Sequence, residues 1–95
     1  MTNRGWQDIM ANLLEITKQP TRKTVIMFNV VMSYTKTCEY LEMAEQNGLI
    51  QYDKLNRNYQ ATDRGLDYLR KYYDVTSLVY KQGMTVPYFI AGREG

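Results

Sequence analysis

Between Pro20 and Gly48 the chain ends one helix, makes a second and restarts a third, and then abandons the helical period. That succession limits the available folds more than composition does. A first helix is read from about Trp6 to Thr17, where Trp6, Ile9, Leu13 and Ile16 recur at steps of three or four and form an apolar stripe widened by Met10 and Leu14. Gln19-Pro20 ends it, because a residue before proline is driven out of helical geometry. Thr21 is placed to cap a short second helix over Arg22 to Phe28. Val25, Ile26 and Phe28 crowd too closely there for a one-sided stripe, which predicts burial. Asn29, tolerant of left-handed backbone, is its expected stop.

Ser33 then caps a third helix running to about Asn47, and Gly48 terminates it. Thr37, Leu41 and Ala44 fall on one side, flanked by Tyr34 and Tyr40, while Thr35, Glu39, Glu42 and Gln46 fall on the other. A short helix, a tight turn and a longer helix make the helix-turn-helix arrangement. Leu49-Ile50-Gln51-Tyr52 and Asn58-Tyr59-Gln60-Ala61 follow as two short strands around the polar turn Asp53 to Arg57, where a wing would lie. Thr62 caps a fourth helix, with Asp63 favoured in its first turn by the helix dipole. The fold class expected is α+β, mainly α: a winged helix-turn-helix with a long C-terminal helix.

The fourth helix is expected to reach at least Tyr73 and to extend to Gln82 if unbroken. Leu66, Leu69, Tyr73, Thr76 and Tyr80 step by 3, 4, 3 and 4, the alternation of a coiled-coil seam. Tyr68, Tyr72, Val75 and Val79 add a second stripe, more apolar surface than a small core covers, so the seam predicts a dimer contact. The competing reading breaks the helix near Asp74, which could cap a new one before the β-branched Val75 and Thr76. One domain is thus organised as a core over 1–62, a dimerisation helix over 63–82 and an aromatic tail over 83–95, where Pro87 permits only an edge strand or turn.

At 95 residues the chain supports one small core, marginal without a partner chain. Histidine is absent and Cys38 is the single cysteine, so the usual nucleophilic triads and a zinc site are out of reach and a reducing cytoplasm fits. Glu39, Glu42 and Glu45 sit at helical spacing, as a solvated face does, and do not suggest acid–base machinery. The sequence therefore predicts no enzyme, no cofactor, no metal and no small-molecule ligand. The N-terminal residues lack the apolar run of a signal peptide, and the stretch from Val25 to Met32 is too short to span a bilayer, so no membrane role is expected.

Net charge is only +2, but its distribution is uneven. No acid lies between Glu15 and Glu39, a window holding Lys18, Arg22, Lys23 and Lys36; another acid-free window between Asp53 and Asp63 holds Lys54 and Arg57. These windows suggest one positive face. In a helix-turn-helix the second helix enters the major groove, so Ser33, Tyr34, Thr35 and Lys36 at its start are the candidate contacts, with Thr35 suited to a thymine methyl and Glu39 to a cytosine amino group. Arg22 and Lys23 are candidates for phosphate at the second helix's start, and Lys54 and Arg57 for the minor groove or flanking backbone. Nine tyrosines raise base stacking on single strands as a rival, but most fall at core or seam spacing on helices.

The ordered set Arg22-Lys23-Thr24-Val25-Ile26-Met27, Ser33-Tyr34, Tyr40-Leu41, Gly48-Leu49-Ile50 and Tyr59-x-x-Thr62-x-x-Gly65-x-x-Tyr68-Leu69 resembles the archaeal winged helix-turn-helix family of small DNA-binding proteins. The likeness spans roughly Trp6 to Tyr73. It implies a dimer joined by a long C-terminal helix as an antiparallel coiled coil, and binding to duplex DNA in the cytoplasmic nucleoid. Thr37 departs from the aliphatic residue such helices usually carry, and the aromatic tail departs from a charged helix. The low net charge favours a regulator over a packaging protein. The alternative is a winged helix serving protein interaction alone.

Overall fold

The computed structural model describes residues 5–79, with Val79 seen in its backbone alone. The order is α1 (Trp6–Ile16), α2 (Lys23–Val30), α3 (Tyr34–Gln46), β1 (Ile50–Asp53), β2 (Asn58–Ala61) and α4 (Asp63–Val79). Mainly helical and closed by one antiparallel hairpin, this is a winged helix-turn-helix.

The apolar stripe of α1 is the centre of the core: Met10, Leu13 and Leu14 are buried, with Ile26 and Val30 of α2, Leu41 and Ala44 of α3, and Leu69 of α4 against them. Most of the stability comes from these contacts, at roughly 25 cal/mol per Å² of apolar surface withdrawn from water. Thr37 fills a core position on α3 because its hydroxyl donates to the Ser33 carbonyl at 2.8 Å, so no buried polar atom is left open. The departure seen in the sequence is thereby accommodated.

Two boundary expectations change at α2. Thr21 is not its cap. The backbone of Thr21 instead exchanges two hydrogen bonds with Tyr59 (2.9 and 2.8 Å), adding a one-residue third strand to the hairpin, and Arg22 stands at the N-cap without a side-chain bond. Nor does Asn29 stop the helix: its side-chain amide donates back to Val25 O at 2.8 Å, and the left-handed residue is Val31 (φ 56°, ψ 60°). Expected burial also fails here. Only Ile26 and Val30 of α2 are buried, while Phe28 is 75% and Val31 77% exposed. Eight residues offer one inward face, which those two fill.

Ser33 caps α3 as expected, its Oγ accepting the Lys36 N–H at 3.1 Å. Gly48, at φ 74°, turns the chain out of α3, and Leu49 N–H returns to Ala44 O at 2.8 Å. In the hairpin Gln51 faces Gln60 and Tyr52 faces Tyr59. Thr62 caps α4, with its Oγ1 accepting Gly65 N–H at 3.1 Å and donating to Gly48 O. This ties the start of α4 to the end of α3.

α4 runs through Asp74 without a break, which removes the two-helix alternative up to Val79. Two residues of the expected seam, Leu69 and Tyr73, are engaged within the chain itself. Leu69 is 2% exposed in the chain's own core, and Tyr73 is half-buried with its hydroxyl donating to Glu15 at 2.5 Å. Thr76 is half-buried, its hydroxyl donating to Tyr73 O at 3.0 Å, and Tyr80 lies outside the described residues, as does the tail. A stripe repeating at 3.5 residues packs equally well on α1 of the same chain, and α1 is nearer. The outward apolar residues of α4 are Leu66, Val75 and Leu78.

Candidate nucleic-acid interface

The residues expected at the start of α3 divide by what their atoms already do. Ser33 uses its Oγ and its carbonyl within the helix cap and is a structural residue first. Tyr34, Thr35, Lys36 and Glu39 are all exposed, with Tyr34 58% accessible. Lys36 and Glu39 form an ion pair at 3.4 Å, with side chains 64% and 58% exposed. Such a pair contributes about 0–1 kcal/mol and opens readily when a stronger partner arrives. Farther along, Glu42 and Glu45 are exposed as well, so positive and neutral groups mark the first turn of α3 and carboxylates the rest.

The wing tip is shaped by Asp53. Its Oδ1 accepts the N–H groups of Leu55 (3.0 Å) and Asn56 (3.2 Å), and its Oδ2 accepts the Asn56 amide at 2.7 Å. These bonds, the Asn56 side chain foremost, hold the Asp53 carboxyl below its ordinary range. Arg57 closes the turn in left-handed backbone, φ 58°. Lys54 and Arg57 therefore stand exposed from an ordered turn, with Leu55 90% exposed between them. Leu55 was not singled out by the sequence, since a leucine inside a polar turn carries no periodic signal.

The basic residues fare unequally. Arg22, Lys54 and Arg57 are exposed and make no ion pair among the described residues. Lys18, by contrast, is paired with Glu15 at 3.2 Å. Lys23, half-buried, reaches from α2 onto α3: its Nζ donates to Cys38 Sγ at 3.7 Å and lies 5.3 Å from the Tyr34 ring centre. Burial works against its charge, but Tyr59, Cys38 and Tyr34 together outweigh it, and the ammonium pKa rises above the ordinary value. Burial likewise raises the Tyr59 phenol. Lys23 is thus engaged with α3 within the fold, unlike Arg22, Lys54 and Arg57.

No three His, Cys, Asp or Glu side chains stand together as a metal site among the described residues, and no described helix is long and apolar enough to cross a membrane. A cap, a three-residue turn, an exposed first turn of α3 and a hairpin anchored by a third strand are on view together. The pattern of winged helix-turn-helix proteins matches residues 3–81. The chain belongs to the winged helix-turn-helix family. No curated protein sequence matches it. Within this winged helix-turn-helix protein α3 is the second helix of the helix-turn-helix and the β1–β2 hairpin is the wing.

Proposed function

We propose that this winged helix-turn-helix protein binds double-stranded DNA as a homodimer, as a regulator of transcription or a nucleoid-associated protein. The recognition helix, α3, enters the major groove by its first turn, with Thr35 reaching base edges and Tyr34 and Lys36 the backbone. Lys36 exchanges Glu39 for a phosphate, which frees Glu39 to accept from a cytosine amino group. Arg22 engages backbone at the start of α2, and Lys54 and Arg57 grip flanking phosphate or the minor groove. One observation carries this reading: the first turn of α3 exposes Tyr34, Thr35 and Lys36, and the wing tip exposes Lys54 and Arg57, which make no ion pair among the described residues. A dimer is supported by Trp6, Val75 and Leu78, each more than half exposed, Val75 also lining the groove of about 470 Å³ between α1 and α4. Sedimentation is expected at twice 11.2 kDa, and a monomer at micromolar concentration contradicts the dimer.

The second reading, a protein-interaction module, is favoured by Glu39, Glu42 and Glu45 on α3 and by exposed Phe28 and Val31. Titration with duplex DNA across a salt series separates the two. Binding that weakens steeply with salt, and loses slope when Arg22, Lys36 and Arg57 become alanine, supports DNA. Absence of binding at low salt leaves the interaction module. Selection from a random duplex pool then divides regulator from coating protein by whether one motif is enriched.

A further inference from the structure

The expected phosphate ligand Lys23 occupies a place no phosphate contact requires. It is the first residue of α2, yet its stem crosses to α3 and its ammonium sits 3.7 Å from Cys38 Sγ and 5.3 Å from the Tyr34 ring centre, with Tyr59 of the hairpin nearby. Three elements meet at this one charge. Cys38 lies one turn beyond Tyr34 on α3, so both of its direct partners are on the same flank of the recognition helix. Lys23 makes no ion pair among the described residues, and the nearest acid effect in the site is that of Glu45 on the Tyr59 phenol.

The geometry points to Lys23 as a positioning residue: it stays inside the domain when duplex DNA is bound, and fixes the angle and the Tyr34 ring of α3 by a cation–π and thiol clamp instead of neutralising a phosphate. This rests on the DNA-binding reading above and adds to it a division of labour among the cations. α3 is held along its length by buried Thr37, Leu41 and Ala44, whereas Tyr34 at its start is 58% exposed and follows a three-residue connection, 31–33, from α2. An ammonium held over that aromatic ring restrains it at the helix start, and leaves Thr35 and Lys36 to the groove. Arginine, planar and longer, keeps the charge and the ring contact but not the thiol geometry.

The test uses the full chain and one random-sequence duplex, with binding measured over a salt series for wild type, Lys23→Met, Lys23→Arg and Arg57→Ala. Arg57→Ala is expected to reduce the slope of log affinity against log salt by about 0.9 per copy bound. Lys23→Met is expected to weaken binding about 3- to 10-fold at every salt concentration with the slope unchanged, and Lys23→Arg to recover most of that loss. A slope lowered by about 0.9 in Lys23→Met overturns the clamp and returns Lys23 to the phosphate. Should Lys23→Met fail to fold, the wild-type protein still decides: ring-current displacement of the Lys23 side-chain methylene resonances by Tyr34 is expected in the free protein and to persist on DNA saturation. Loss of that displacement on saturation overturns the proposal. Failure of wild type to bind any duplex at low salt refutes the DNA reading itself, and is distinct from both of these results.

Discussion

A valine in left-handed backbone is the most exposed contradiction between a residue and its place in this protein. Val31 adopts φ 56° with 77% of its surface in water, so its β-branched side chain carries the steric cost of that region and recovers little by burial. The position exists because only three residues, Val31, Met32 and Ser33, separate the end of α2 from the start of α3. Replacing Val31 with Asn is expected to raise unfolding free energy by about 1 kcal/mol in a urea titration, since asparagine tolerates this backbone. A loss of stability shows instead that Val31 packs in solution. The same site explains why the sequence misplaced the stop of α2. Asn29 has the composition of a C-cap, but Ile26 and Val30 are both needed inside, and burying Val30 carries the helix one residue past Asn29.

Between elements, the critical junction is α4 against the end of α3. A Cβ at Gly65 would stand 2.2 Å from the Leu49 carbonyl oxygen and 3.1 Å from Leu14, so the helix approaches backbone here at a distance only glycine permits. In an open helix Gly→Ala stabilises by about 1 kcal/mol; at Gly65 alanine is expected to destabilise by about 2–3 kcal/mol by denaturant titration. A neutral or stabilising result contradicts the close approach. The α1–α4 contact has its own signature. Tyr68 donates to Gln7 O at 3.0 Å, and Tyr72 donates to Asp8. Burial, and secondly the Asp8 carboxylate, pushes the Tyr68 phenol from 10.0 up to about 12. A folded pKa above the unfolded one means that its contribution is complete below pH 10 and fades as pH climbs towards about 12. Wild type is therefore expected to lose stability across that window more steeply than Tyr68→Phe, as followed by alkaline urea titrations. Equal slopes contradict it.

The six elements and their order were legible because each has a local cause: the stripe of α1, the Ser33 and Thr62 caps, Gly48, and the two alternating tetrads. The seam on α4 was legible only as an apolar face, since a 3–4 repeat does not state which neighbour covers it. Leu69 and Tyr73 meet the chain's own core and α1. Of the candidate interface, exposure of Thr35, Lys36, Lys54 and Arg57 followed from their position on α3 or in the turn. The inward path of Lys23 did not, because the partners Tyr34 and Cys38 are 11 and 15 residues away and no periodicity joins them.

At the scale of the whole molecule, a net charge of +2 makes affinity depend on where charge lies more than on how much there is. In the proposed DNA complex the carboxylates on α3 beyond its first turn restrict the groove contact to the helix start, and the wing cations supply the rest. The most direct test is an amide NMR titration of the protein with a duplex at low salt. The account predicts that the largest shifts fall on Thr35, Lys36, Lys54 and Arg57 and reverse on adding salt. Shifts concentrated instead on Glu42, Glu45 and the α1–α4 groove, or none at all, contradict it.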